Sequence, residues 1–235
     1  MASRNNENLA YVDAEHVAQM DEKIDNKAAP VISIVPAKRT AYMVVKRIFD
    51  MIVALVCLTV GLPVYLLIAL AIVIDDFGNP LFIQRRVGKD GRVFRMVKFR
   101  TMYRNADQMK EALVLQNECD SVHFKMENDP RITRVGKFLR KTSLDETPQA
   151  LNILTGSMTV IGPRPFIPSE QAQLPMDRLM VKPGLSCYWQ LTNTTKMGIE
   201  EQLELDYRYI REMSPGTDLK LIGKTIMMIL HGQNW

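Results

Sequence analysis

The segment Ser143-Leu144-Asp145-Glu146-Thr147-Pro148-Gln149 sets two carboxylates side by side where a helix is predicted to begin. Ser143 with Glu146 three positions on is the pattern of a capping box, so helix capping alone would account for the pair, helped by the helix dipole. The surroundings add a second reading. Arg131, Arg134, Lys137, Arg140 and Lys141 precede the pair with no acid among them, and Gly162-Pro163-Arg164-Pro165 follows. Carboxylates among cationic side chains form either salt-bridged structure or a site for phosphates and a metal ion. On these residues alone both readings stand.

Other ligand chemistry is poorly represented. Cys57, Cys119 and Cys187 are far apart and form no CxxC pair, which points to neither a disulfide framework nor a thiolate metal site and suits a reducing compartment. His16, His123 and His231 are equally scattered, against a zinc site.

The elements that must hold the dyad are short. Helical patterns run over 133–140 and 145–154, the second closed by Gly156, and Met158 to Pro168 reads as a buried strand leading into a proline-set loop. A further strand is predicted in Leu185 to Thr192, and helices over Ile199 to Met213 and Asp218 to Leu230. The last carries Leu219, Ile222, Ile226, Ile229 and Leu230 on one side, a face for a core or for a bilayer surface. Leu81 to Met102 reads as two strands around Gly88 to Gly91, a hairpin, and 105–127 contains a helical stretch. Nine basic and two acidic residues between Arg85 and Lys110 suit an anionic lipid surface, a phosphate site, or both.

In bulk the chain is ordinary: 235 residues, 47% apolar, 24% charged, net charge +4, with mean hydropathy −0.07. These averages exclude disordered, collagenous and small disulfide-rich classes, and the charge is too mild for a nucleic-acid binder. They also conceal Met51 to Ile74, which has no charged residue and is long enough to cross a hydrocarbon core of about 30 Å. Fifty residues of mixed sequence precede it, unlike a cleaved signal peptide. Lys46 and Arg47 flank one end and a crowd of Arg and Lys from Arg85 onward the other, so the positive-inside rule asks for both ends in the cytoplasm. Pro63, after Gly61 and Leu62, stands near the middle and would break the helix into two arms. A re-entrant helical hairpin satisfies both features; a spanning helix that tolerates its proline is the alternative.

The chain resembles the bacterial sugar transferase family, the monotopic phosphoglycosyl transferases. The resemblance is carried by Lys46-Arg47-Ile48-Phe49-Asp50; Gln84-Arg85-Arg86-Val87-Gly88; Lys98-Phe99-Arg100-Thr101-Met102; Asp129-Pro130-Arg131-Ile132-Thr133-Arg134-Val135-Gly136; Leu139-Arg140 with the dyad segment; and Gly162-Pro163-Arg164-Pro165. Pro183-Gly184-Leu185, Trp189-Gln190 and Glu204-Leu205-Asp206-Tyr207-Arg208-Tyr209 continue it, so that it covers about 43 to 233. Departures are Leu62 before Pro63 where Ser is frequent, Thr147 after the dyad, Ser157 after Gly156, and Thr192-Asn193-Thr194-Thr195 in place of Gly-Arg-Asn.

The resemblance implies an α+β, mainly helical fold: a small catalytic domain with a short β-hairpin, a re-entrant membrane helical hairpin and interfacial amphipathic helices. The organisation it suggests is a poorly ordered tail over 1–40, a re-entrant membrane helix broken near Pro63 over 41–76, and a catalytic domain on the cytoplasmic face over 77–235, at the bacterial inner membrane. The implied reaction moves a hexose 1-phosphate, galactose or glucose, from a UDP-sugar to undecaprenyl phosphate with release of UMP, starting capsule, exopolysaccharide or O-antigen assembly. By the motif, Asp145 is the nucleophile of a ping-pong reaction and Glu146, with Asp145, holds magnesium or manganese. An aspartate near its ordinary pKa of about 3.9 is already ionised at pH 7 and needs no general base. Arg140 is the candidate for the donor's phosphates, with Lys98, Arg86 and Arg164 as further phosphate or nucleotide contacts. The expected partners are the UDP-sugar, undecaprenyl phosphate and the phospholipid bilayer, without nucleic acid; a homo-oligomer is left open. A membrane-associated nucleotide-sugar phosphohydrolase and a non-enzymatic membrane-surface scaffold are the competing readings.

Overall fold

The computed structural model describes residues 40–106, 108–109, 129–192 and 198–231, all within one compact unit, Ile34–Trp235. Residues 1–39 of the tail expected over 1–40, most of the helical stretch over 105–127, and residues 193–195 lie outside the described residues, while Thr40 belongs to the first helix.

The uncharged run forms a single helix, α1, Thr40–Asp75, with Pro63 inside it. The break expected near Pro63 is absent. Proline costs an interior helix about 3 kcal/mol, whereas each fully buried Val, Leu or Ile side chain contributes about 1.5–3 kcal/mol. Contacts on both sides of Pro63 hold the helix to its course: Ala54 is buried upstream, and Ile68 and Ile72 downstream. Only 11% of the most apolar 18-residue window is buried, unlike the core helix of a soluble domain. Val45, Ile52, Leu55, Val60, Leu66, Leu67 and Leu70 are among the large apolar side chains left exposed.

Both ends of α1 are tied to the same domain. At the start, Lys46 pairs with Asp218 at 2.7 Å, and Arg47 donates to the carbonyls of Ile153 and Leu154 at 2.5 and 2.8 Å. Asp50 accepts from Thr159 Oγ1 and Val160 N. At the far end Asp75 accepts from Val135 N at 3.0 Å, and Asp76 pairs with Arg100 at 3.3 Å.

The hairpin is as expected: β1, Leu81–Val87, runs antiparallel to β2, Val93–Phe99, with Leu81 opposite Phe99 and Val87 opposite Val93. Asp90 (φ 56°) and Gly91 (φ 75°) turn the chain between them. Helix α2, Arg134–Lys141, is capped by Thr133, whose side chain accepts from Gly136 N. A 3₁₀ helix over Leu144–Gln149 then feeds α3, Ala150–Thr155, which Gly156 closes at φ 86°. The helix predicted over 145–154 is therefore two unlike pieces.

Strand β3, Thr159–Ile161, pairs in parallel with β4, Gly184–Ser186; between them lies the one-turn helix α4, Pro168–Gln171. The pair needs its glycines, since a Cβ on Gly184 would stand 2.0 Å from Gly162 N. The strand expected over 185–192 ends at Ser186 and gives way to a 3₁₀ turn at Trp189–Leu191. The chain finishes with α5, Ile199–Glu212, and α6, Pro215–Leu230.

Three apolar clusters hold these parts together. Met96 of β2 packs with Ala54, Ala150, Ile153 and Met158, and Phe99 with Ile68, Ile72 and Leu139. Ile161, Val181, Tyr209, Ile210, Met213 and Leu221 form the third. On α6 only Asp218 and Leu221 are buried, while Leu219, Ile226, Met227, Ile229 and Leu230 are exposed. The apolar side of that helix faces outward, with Ile222 alone packed against the core.

Candidate active site

Close backbone approach sets the dyad in place. The Thr101 carbonyl accepts from Thr133 N, and a Cβ on Gly136 would stand 2.1 Å from that oxygen. Only glycine lets α2 abut the end of β2 so closely. The same Thr101 receives Arg140 Nε on its hydroxyl at 3.0 Å, so one residue fixes both the helix and the guanidinium it carries.

After α2 the chain reverses through Ser143, a non-glycine residue in the left-handed region at φ 54°. The expected capping box is not formed: Ser143 makes no side-chain cap bond. Glu146 turns instead to Lys98, 48 residues upstream, at 2.9 Å. Asn152 explains why Lys98 is there. Its amide donates to Arg95 O at 2.7 Å and accepts from Val97 N at 3.0 Å, bonding α3 to the backbone of β2 one residue before Lys98.

Glu146 and Lys98 open onto a cleft of about 240 Å³, solvent mouth included, which Arg86, Arg164, Gln149 and Gln190 also line. Arg86 donates to Pro165 O at 3.1 Å and Gln84 Oε1 at 2.6 Å, stands 3.7 Å from Glu170, and keeps its buried Nε without a partner among the described residues. Arg164 stacks on the Trp189 ring at 5.2 Å. Its carbonyl accepts from Arg178, a buried guanidinium that pairs with Asp206 at 2.7 Å and bonds Gln171 at 2.8 Å. The proline-set loop is thus held from beneath.

The two carboxylates of the dyad differ. Burial works against the charge on Glu146, but Lys98, Arg164 and Arg86 together outweigh it, and its carboxyl titrates below the ordinary range. Asp145, 9% exposed, is pushed up to about 6 by burial and by Glu146, against the pull of Lys98 and Arg140. That corrects the expectation of an ordinary aspartate pKa, though the group is still mostly ionised at pH 7. Burial, then the neighbouring Arg164, lowers Arg86 to about 10. Arg140 is also lowered by burial, with Asp145 and Asp129 opposing.

Of the predicted site residues, Glu146, Lys98, Arg86 and Arg164 therefore share one cleft. Arg140 and Asp145 are not among its lining residues, Arg140 acting on Asp145, and Pro63 stands inside α1. Thr101, Asn152, Gln149 and Gln190 were not singled out for the site in the sequence reading. The first two are visible only once distant segments meet, but Gln149 lies within the dyad segment itself.

No group of three or more His, Cys, Asp or Glu side chains among the described residues is arranged to hold a metal. The dyad still suits a hard cation that keeps waters and takes further oxygens from phosphates, because such sites need only one or two carboxylates. Asp145 has no ion-pair partner within 4 Å among the described residues, and Glu146 commits only Oε1 to Lys98.

Residues 41–232 match the model of the bacterial sugar transferase family. The galactosyl transferase CpsE of Streptococcus agalactiae is 38% identical over 199 residues, which are 82% of this chain and 43% of that protein. The UDP-glucose:undecaprenyl-phosphate glucose-1-phosphate transferase of Escherichia coli is 37% identical over 192 residues, 77% of this chain and 39% of that protein. The exopolysaccharide production protein ExoY of Rhizobium meliloti is 36% identical over 188 residues, 77% of this chain and 83% of that protein. The chain thus spans about two-fifths of the length of the first two and most of the third.

Proposed function

The chain belongs to the bacterial sugar transferase family, and from that premise we propose that it transfers a hexose 1-phosphate, galactose or glucose, from a UDP-sugar to undecaprenyl phosphate at the cytoplasmic face of the inner membrane. The observation that carries this reading is an aspartate without an ion-pair partner among the described residues, Asp145, next to a cleft lined by Arg86, Lys98 and Arg164. A diphosphate is the ligand class that needs both several cations and a nearby anionic nucleophile.

In this reading Asp145 attacks the phosphorus that bears the sugar. A bond forms from its carboxylate oxygen to phosphorus, the diphosphate bridge breaks, and UMP leaves with the bridging oxygen. An oxygen of undecaprenyl phosphate then attacks the same phosphorus, the bond to Asp145 breaks, and the carboxylate returns as the lipid diphosphate sugar departs. Both nucleophiles are anions, so neither step needs a general base. Lys98, Arg86 and Arg164 bind and orient the diphosphate, and Arg140 lowers the cost of ionising buried Asp145. Asp145 and Glu146 would hold magnesium or manganese, which when bound adds positive charge at the diphosphate.

The acceptor's phosphate lies at headgroup depth, and the attachment of α1 supports a site at that depth. A helix that crossed the bilayer could keep only one end on a domain at one surface, whereas α1 is tied at Lys46, Arg47 and Asp50 and again at Asp75 and Asp76. We infer that α1 is re-entrant, bending at Pro63 without breaking. A cysteine-accessibility scan should find positions 45 and 80 on the same side; opposite sides would end this topology.

Purified protein with undecaprenyl phosphate and radiolabelled UDP-galactose or UDP-glucose should release UMP and yield a chloroform-soluble labelled product. Water-soluble sugar phosphate alone would identify a phosphohydrolase, and no turnover of any UDP-sugar would favour a scaffold.

A further inference from the structure

One neutral side chain of the cleft keeps its bonding capacity free for a ligand. Gln149 is 3% exposed and lines the cleft, yet its side-chain amide has no hydrogen-bond partner among the described residues. Its amide atoms are not sealed off from the cleft, so a ligand there can reach both the donor and the acceptor. Two other buried amides show the contrast: Asn152 bonds β2, and Gln171 bonds Arg178. Gln149 is set for a partner that arrives from the cleft.

Its position says which part of a ligand it would meet. Residues i and i+3 of a 3₁₀ helix eclipse one another at about 2 Å rise per residue, so Gln149 stands on the same face as Glu146, about 6 Å further along the axis. Asp145 precedes Glu146 in the same 3₁₀ helix, so a diphosphate held by the cleft cations and attacked by Asp145 would lie close to this face. A neutral donor suits that place. Another cation would compete with Lys98 for Glu146, whereas an amide N–H can bond a phosphate oxygen and leave the carboxylate alone.

We propose that Gln149 is a donor-contacting residue whose Nε2 donates a hydrogen bond to the sugar-bearing phosphate of the nucleotide diphosphate sugar. This rests on the reading of the cleft as the donor site. The contact would be made to the phosphate that UDP retains and UMP lacks, and Gln190, in the same cleft, already accepts from Cys187 Sγ at 3.1 Å.

The test is Gln149→Met in the full chain, an apolar side chain of similar shape. Calorimetric titration with UDP and with UMP needs no turnover, and thermal melting monitors folding. The expected result is UDP affinity weakened about 10- to 100-fold, as for a lost hydrogen bond to a charged group, with UMP affinity unchanged. The melting midpoint should stay close to that of wild type, because the amide bonds no other group among the described residues. Gln149→Glu, which puts an anion in that place, should weaken UDP more than Gln149→Met does. UDP affinity equal to wild type in Gln149→Met would show that the side chain only packs and would overturn the proposal while leaving the donor site intact. Absence of UDP binding to the wild-type protein would overturn the donor-site reading itself, and the proposal with it.

Discussion

Two ionic clusters flank the proline-set loop and behave as opposites. Beneath the proline-set loop, Arg178 and Asp206 are 0% and 3% exposed, and the guanidinium bonds Asp206, Gln171 and the Arg164 carbonyl while stacking on Phe166 at 4.2 Å. In the cleft above, Lys98 and Glu146 are 18% and 25% exposed, Arg86 keeps an unpartnered Nε, and Asp145 has no ion pair among the described residues. Separations of 2.7 and 2.9 Å do not distinguish them. Spare bonding capacity does. A saturated pair can only hold the fold, whereas a pair with unused donors and acceptors can take a ligand.

The largest effect should follow from Asp145→Asn. Loss of the nucleophile should reduce UMP release by at least about 10³-fold, and retention of a tenth of wild-type turnover would defeat its assignment. Stability should move the other way. Asp145 has a folded pKa of about 6, above its unfolded value of about 3.9, so the folded state binds the proton more tightly. Its stabilising effect is present at low pH and is lost as pH rises from about 4 through 6. At pH 8 the neutral asparagine should therefore melt at or above wild type. A lower midpoint would mean that the carboxylate is structural, and the two clusters would cease to differ.

The closed cluster should fail by unfolding. Arg178→Met leaves Asp206 buried without its partner, and Asp206→Leu does the converse. Breaking a buried pair on one side costs about 3–5 kcal/mol, whereas replacing both members with apolar residues is often close to neutral. Urea denaturation of the two single variants and the double variant separates these cases. Single variants within about 1 kcal/mol of wild type would show that the pair is not closed.

A smaller effect distinguishes the carboxylates within the cleft. Protonated Asp145 cannot attack phosphorus, so kcat/KM for the donor should fall about tenfold per pH unit below about pH 6 and level off above it. Glu146 titrates below the ordinary range because cations surround it, so it should add no limb near neutrality. Lys98→Met removes a cation that favours ionised Asp145 and should shift the limb to higher pH. A profile unchanged by Lys98→Met would separate Asp145 from the cleft's field.

What was legible in the sequence divides along the same line. The hairpin, the helix over about 133–140, the Gly156 stop and the long apolar helix each depend on local spacing, and all are present. The capping box was misread because Ser143 takes the left-handed conformation and a lysine 48 residues away claims Glu146; spacing does not register such a competitor. The break at Pro63 was misread because contacts from Ala54, Ile68 and Ile72 hold the helix on both sides. The motifs identified the cleft cations, but not that Thr101 holds Arg140 or that Asn152 bonds β2 beside Lys98.

The smallest effect should come from an ion pair with good distance and no burial. Arg208 and Glu212 meet at 3.0 Å, one turn apart on α5, both about half exposed, and Tyr188 donates to the same carboxylate at 2.8 Å. By distance the pair resembles Arg178–Asp206, yet its charges stay hydrated in either state, and holding two long side chains together offsets what the contact contributes. Glu212→Gln should leave the urea midpoint unchanged at moderate salt and leave UMP release unaltered. A loss of stability comparable with that of Arg178→Met would mean that distance, rather than desolvation and bond saturation, governs ion pairs in this domain, and would remove the ground on which the two clusters were distinguished.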